Sequence, residues 1–126
     1  MSSYAEGIPT EEQEMRTVCA YLEIRHLVYC HVPNEGRHKP QYRAKLAKLG
    51  VKPGVPDLLI FEPAYGYTGV AIELKRVKGG RVSSAQDDWI SDLARLGWRA
   101  QVCFGAGEAI ALLEEMYGGH KREAEA

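Results

Sequence analysis

Stretches with apolar residues at helical spacing alternate along this chain with short apolar runs that are typical of strands. From Thr10 to about His26 the apolar residues recur at the i, i+3, i+4, i+7 spacing of one helix face, which predicts a first helix. These positions are Met15, Val18, Cys19 and Leu22. Further helices are predicted over residues 39–49, 84–96 and 106–117, and strands over residues 27–32, 57–61, 70–75 and 99–104.

The first turn of the predicted first helix is acidic. At 100° per residue, Glu11 projects onto the apolar stripe of that helix. Glu12 and Glu14 fall to either side of the stripe. Glu11 is therefore expected to be an acid at the end of the buried face. The alternative is an N-terminal charge that the helix dipole favours by ~0.3–1 kcal/mol.

The two C-terminal helices are predicted to be amphipathic. Ser83 or Ser84 caps the helix over residues 84–96, and Gly97 closes it. Its apolar residues, expected to face inward, are Trp89, Ile90, Leu93 and Leu96. The apolar face of the last helix is expected either to pack on its own sheet, which is the commoner outcome, or to contact a second copy of the chain.

Length and composition are those of one ordinary globular domain. The chain has 126 residues, of which 45% are hydrophobic and 26% charged, so residues 1–126 are predicted to form a single domain with flexible tails at 1–8 and 118–126. Three cysteines without close pairing predict reduced core thiols in a cytoplasmic protein. A signal peptide and a membrane-spanning stretch are not expected.

Charge is unevenly distributed, although the formal net charge is only −1. Residues 37–52 contain no acid. Their basic and imidazole side chains belong to Arg37, His38, Lys39, Arg43, Lys45, Lys48 and Lys52. Such a run is usually a solvated helix face, but it could also contact the phosphates of a nucleic acid.

Two neighbouring predicted strands carry charged residues where buried strands are normally apolar. Asp57 begins one strand, and Glu73 and Lys75 share one face of the next because strand side chains alternate. Two carboxylates that meet across a hairpin form an oxygen site suited to Mg²⁺ or Mn²⁺, to which the Leu74 backbone carbonyl could add a ligand. A buried ion pair between lysine and a carboxylate is the equally open alternative.

The order of these motifs resembles the PD-(D/E)XK nuclease superfamily, and more narrowly the virus-type replication-repair nuclease (VRR-NUC) family. The resemblance rests on Pro56-Asp57, Glu73-Leu74-Lys75 and Ser83-Ser84-Ala85-Gln86, with an acid on the first helix, and it extends from residue 11 to residue 97. It implies an α/β restriction-endonuclease-like fold, a mixed central sheet flanked by helices in the order αβαββαβ(α). Met15 departs from the family pattern, where relatives often carry glutamine.

The resemblance also implies roles for individual residues. Asp57 and Glu73 would bind Mg²⁺ or Mn²⁺, Lys75 would act in catalysis, and Glu11 would complete the metal shell or position water. Gln86 would belong to the catalytic group, although Ser83 and Gln86 also match a helix capping box.

The implied substrate is DNA, cut by a metal-dependent endonuclease that selects flapped or branched structures. The candidate DNA-binding residues are Arg37, Lys39, Arg43, Lys52 and Arg81. A homodimer is expected, because structure selectivity requires contacts on two duplex arms and two-fold symmetry supplies them. The alternatives are a Holliday-junction resolvase of the same superfamily and a DNA-binding or assembly module without catalysis.

Overall fold

The computed structural model describes residues 7–33 and 39–119, and the predicted elements occur there in the predicted order. The helices are α1 (Glu11–Ile24), α2 (Pro40–Lys48), α3 (Ser84–Arg95) and α4 (Ala106–Tyr117). The strands are β1 (Tyr29–His31), β2 (Leu58–Ile60), β3 (Val70–Lys75) and β4 (Arg99–Phe104). Most of the two predicted tails lies outside the described residues.

The strands form a mixed sheet in the order β1-β2-β3-β4. β1, β2 and β3 are antiparallel neighbours, whereas β3 and β4 run parallel and are joined through α3. In β3, residues 70–74 are all buried, as expected for a strand covered on both faces. The predicted mixed sheet flanked by helices is confirmed.

α1 and α4 pack against each other and against the sheet. Val18 and Leu22 of α1 meet Ile72 and Leu74 of β3 in one hydrophobic cluster. The apolar face of α4 joins the same cluster through Ala109, Leu112, Leu113, Met116 and Tyr117. Packing on its own sheet is therefore the outcome for α4, and this face is not available to a second copy of the chain.

Some predicted core positions are exposed. Leu96 was expected to face inward but is 59% exposed, because α3 ends at Arg95 and Leu96 lies beyond its last turn. Cys103 is a buried thiol as predicted, whereas Cys30 lies exposed on the edge strand β1. The prediction of three core thiols is thus wrong for Cys30, since a strand at the edge of a sheet is covered less completely than a central one.

α2 contains no buried residue, so its basic side chains lie on a solvated surface. The chain returns from α2 to the body of the protein through a loop that α3 holds in place. Trp89 Nε1 donates a hydrogen bond to the Pro53 carbonyl at 3.0 Å. Gly54 has φ +88°, and a Cβ there would lie 2.6 Å from the Ala85 carbonyl carbon. The hydrogen bond to Pro53 and the close approach of Gly54 to Ala85 hold the loop in place just before Asp57.

Within the described parts of the chain, every helix is too short or too polar to cross a membrane.

Candidate active site

A cleft of about 630 Å³ opens where β2 begins and β3 ends. The register that pairs Leu58 with Ile72 places Asp57 beside Glu73, which explains why two residues so far apart in sequence meet. The cleft is lined by Glu11, Glu12, Met15, Arg16, Cys19, His31, Pro33, Asp57, Glu73, Leu74, Lys75 and Gln86. All five predicted catalytic residues are among them.

Asp57 is held by the backbone of the neighbouring strand. Its Oδ2 accepts a hydrogen bond from the Leu74 N–H at 2.8 Å. Burial raises the pKa of Asp57, and the Leu74 hydrogen bond and the charges of His31 and Lys75 oppose that rise. The carboxylate is thus oriented before any ligand arrives.

Glu73 is 3% exposed, and its two oxygens have different surroundings. Oε2 accepts a hydrogen bond from Gln86 Nε2 at 2.9 Å and lies 3.3 Å from Lys75 Nζ. Oε1 is buried without a hydrogen-bond partner in the described residues. Burial and the negative charge of Asp57 raise the pKa of Glu73 to about 7, although Lys75 acts in the opposite direction.

These surroundings fit a divalent cation. A buried carboxylate oxygen without a partner is costly, and a cation between Asp57 and Glu73 would offset both that cost and their mutual repulsion. Carboxylate and carbonyl oxygens are the ligands that Mg²⁺ and Mn²⁺ prefer. Within residues 7–33 and 39–119, no three His, Cys, Asp or Glu side chains lie close enough together to form a metal-binding group.

Gln86 serves the helix cap and the site with the same amide group. Its Oε1 accepts a hydrogen bond from the Ser83 N–H at 2.9 Å, which completes the capping box at the start of α3. Its Nε2 simultaneously donates to Glu73 Oε2. The two interpretations of the Ser83 and Gln86 motif are therefore compatible, and the cap fixes which end of the amide faces Glu73.

Lys75 is held between the site and the loop that follows β3. Its side chain is 12% exposed. The loop turns back so closely that a Cβ at Gly80 would lie 2.8 Å from the Lys75 Cβ. A glycine at position 80 is what permits this approach, and it limits the space in which the lysine side chain can move.

The acids of α1 differ from the expectation. Glu11 lines the cleft, but it is exposed. Glu12 lines the cleft too and pairs with Arg16 at 2.8 Å. The buried acid is Glu14, which is 7% exposed. The prediction that Glu11 ends the buried face is wrong, because α4 covers the Glu14 side of the first turn while the Glu11 side opens onto the cleft.

Four of the five predicted DNA-binding residues are described by the structure, and none of the four lines the cleft. Arg37 is not among the described residues. The exposed members of the group are Lys39, Arg43, Lys52 and Arg81. None of the ion pairs in the described part of the chain involves them. These four side chains are exposed at the surface and are accessible to phosphate.

Two cleft residues, Arg16 and Cys19, were not predicted from the sequence to belong to the site. Their signal is helical spacing: Arg16 lies one turn after Glu12, and Cys19 lies one turn after Met15 and two turns after Glu11. A helix that presents an acid to a cleft must present these neighbours as well.

The raised pKa of Glu73 predicts a pH dependence of stability in the metal-free protein. An acid whose pKa is higher in the folded state favours folding below its unfolded value, here 4.5, and loses that contribution as pH rises through about 7. Glu73→Gln stays neutral, so its melting temperature relative to that of wild type should increase from pH 4 to pH 8, two values that bracket this window. Thermal melts of both proteins with a chelator present measure this difference. A difference in melting temperature that stays the same at every pH would contradict the prediction.

Comparisons with known proteins identify chains that this one resembles in sequence and in fold. The family model described as VRR-NUC domain matches residues 10–107. A solved structure described as a VRR_NUC domain protein is 26% identical to this chain and superposes with a TM-score of 0.75. That match covers 87% of this chain and 89% of the other. No curated protein matches the chain.

Proposed function

Because the chain belongs to the VRR-NUC domain family, whose members are nucleases of the PD-(D/E)XK-like superfamily, we propose that it is a divalent-metal-dependent DNA endonuclease. The observation that carries the metal-dependent part is the pair formed by Asp57 and Glu73. Burial and the negative charge of Asp57 raise the pKa of Glu73, and Glu73 Oε1 has no hydrogen-bond partner in the described residues. Lys75 stands beside them with its ammonium directed at Glu73.

In this proposal Asp57 and Glu73 hold Mg²⁺ or Mn²⁺, with the Leu74 carbonyl as a further ligand. When bound, the metal polarises a phosphate oxygen and acidifies a water molecule. The Lys75 ammonium stabilises the negative charge that develops on the scissile phosphate. Gln86 keeps Glu73 Oε2 occupied, so that Oε1 remains the oxygen that faces the ligand.

A DNA-binding module without catalysis is the alternative from a different class. In such a module the buried charges would need only to pair with one another. Here Lys75 and Gln86 both contact Glu73 Oε2, and Oε1 has no hydrogen-bond partner in the described residues. Incubating labelled duplex, single-strand, flap and four-way-junction DNA with Mg²⁺, Mn²⁺ or a chelator decides between them. We expect cleavage with metal and none with chelator, whereas binding without cleavage in every condition would overturn the proposal.

The same panel tests substrate choice. We propose that the active unit is a homodimer that prefers flapped or branched DNA, with the basic residues of α2 and Arg81 on the duplex arms. A single site cuts one strand, and a second site related by two-fold symmetry would place two contact surfaces at a defined angle.

Light scattering at micromolar concentration should give twice the monomer mass. A monomer that degrades linear duplex and junctions equally well would exclude this assembly, and preferential cutting of four-way junctions would favour the resolvase alternative.

Glu11 is expected to matter for cleavage more than Glu12 does. The two side chains are adjacent and line the same cleft, but the Glu12 carboxylate is engaged by Arg16. Glu11→Gln should lower the cleavage rate about tenfold or more, an effect of the size of one positioned charge, and Glu12→Gln should change it little. The two variants are compared in one assay. Equal and mild effects would instead support the helix-dipole interpretation of both acids.

A further inference from the structure

Glu14 forms a contact between the two ends of the domain sequence. Its partner, Ala106, lies 92 positions further along the chain.

 The contact joins the first turn of α1 to the first residue of α4. Glu14 Oε1 accepts a hydrogen bond from the Ala106 N–H at 2.9 Å. The side chain is 7% exposed, and its Oε2 has no hydrogen-bond partner in the described residues.

This carboxylate takes the place of a helix cap. The N-cap residue of α4 is Gly105, which has φ +93° and no side chain to offer. The first N–H groups of a helix need acceptors, and a negative charge at that end is favoured by the helix dipole. Glu14 supplies both from a different helix, so α1 and α4 are joined at this point.

The same junction reaches the active-site lysine. The Gly105 N–H donates to the Lys75 carbonyl oxygen at 2.8 Å, and the Ala106 N–H that follows donates to Glu14. Two consecutive backbone amides thus connect the end of β3, which carries Lys75, to the turn of α1 that carries Glu11. A Cβ at Gly105 would lie 2.7 Å from Val77 Cγ2, so the junction has no spare room.

Apart from the capping box formed by Thr10 and Gln13, the first turn of α1 has few contacts that hold it to the rest of the protein. Of residues 11–14 only Glu14 is buried, whereas the later part of the helix is held by the fully buried Val18 and Leu22. Helix ends fray where tertiary contacts are few. Loss of the Glu14 contact would therefore release Glu11 without releasing the rest of α1.

We propose that Glu14 is a positioning residue that holds Glu11 at the cleft that Lys75 also lines, a role that rests on the proposed nuclease function. Glu14 itself does not line the main cleft, so it acts through the first turn of α1. Its effect on cleavage should consequently depend on whether Glu11 is present.

The test compares Glu14→Leu with Glu14→Gln and with Glu114→Leu as a matched control. Gln keeps an oxygen that can accept the Ala106 N–H, whereas Leu does not. Glu114→Leu removes a different α1–α4 contact, the one with Tyr21 and Arg25, far along the helix from the site. Glu14→Leu should lower kcat about tenfold with KM for DNA nearly unchanged, and the other two variants should keep near-wild-type kcat.

Two further measurements separate positioning from general stability. Hydrogen exchange at the Ala106 amide should be slow in wild type and Glu14→Gln and fast in Glu14→Leu. Glu11→Gln should cost much less in the Glu14→Leu background than in wild type, because the two residues act as a unit. If Glu14→Leu does not fold, Ala106→Pro removes the same N–H at a helix position that proline favours, and should reproduce the loss of kcat.

The outcomes distinguish this role from the proposed function. A wild-type protein that cleaves no DNA overturns both the nuclease assignment and the positioning role. An active wild type with unchanged kcat in Glu14→Leu, measured well below its melting temperature, overturns the positioning role alone. Equal losses in Glu14→Leu and Glu114→Leu, or additive effects with Glu11→Gln, also overturn it.

Discussion

Replacing Lys75 by alanine is expected to lower the cleavage rate by about a hundredfold to a thousandfold while metal and DNA still bind. The Lys75 ammonium lies 3.3 Å from Glu73 Oε2 in a side chain that is 12% exposed, where a charge is poorly screened by water. Its proposed role is to stabilise charge that appears only as the phosphate reacts. Loss of such an interaction lowers kcat without weakening ground-state binding.

Single-turnover cleavage together with equilibrium DNA binding measures this effect. Lys78→Ala is the control, because Lys78 is a nearby exposed lysine on the loop after β3. Removing Lys75 also removes a charge that lowers the pKa of Glu73, so the residual activity should shift to higher pH. Cleavage by Lys75→Ala at the wild-type rate would reduce Lys75 to a counter-ion and contradict the mechanism.

Asp57→Asn is expected to abolish cleavage and most of the thermal stabilisation by metal. Asparagine keeps an oxygen that can accept the Leu74 N–H, so the fold around position 57 should persist, but the negative charge is lost. In wild type, Mg²⁺ or Mn²⁺ at about 100 times its dissociation constant should stabilise the fold by ~2.7 kcal/mol through mass action. The variant should show little of this gain.

Thermal melts with metal and with chelator give the result. Without metal, Asp57→Asn should melt above wild type, because the repulsion between Asp57 and Glu73 is relieved. Asp88→Asn, at an exposed position on α3, is the matched control and should respond to metal as wild type does. An unchanged metal-induced shift in Asp57→Asn would exclude Asp57 from the metal site.

The helices and strands of this chain were predictable from the sequence because their signals are local. Apolar spacing along α1 and short apolar runs in β2 and β3 depend on residues a few positions apart. The approach of Asp57 to Glu73 was predictable for the same reason, since a hairpin and the alternation of strand side chains determine it. The motifs carried the family resemblance, which the comparisons confirm.

Burial at the ends of elements was not predictable in the same way. Helical projection placed Glu11 on the buried stripe, yet Glu14 is the buried acid and Leu96 is exposed. A helical projection treats the helix as infinitely long, so it contains no information on where the neighbouring helices and strands end. Only the packing of α4 against the first turn of α1 decided which acid is covered.

The sequence by itself determined the element order, the strand that carries Glu73 and Lys75, and the acid that meets them. Tertiary structure decided how each charge is satisfied: Gln86 serves a cap and Glu73 at once, and Glu14 caps a helix that begins 92 positions later. The physical reason is that periodicity and alternation arise from the backbone of one segment. The hydrogen-bond partner of a buried polar group, by contrast, depends on which distant segment packs beside it.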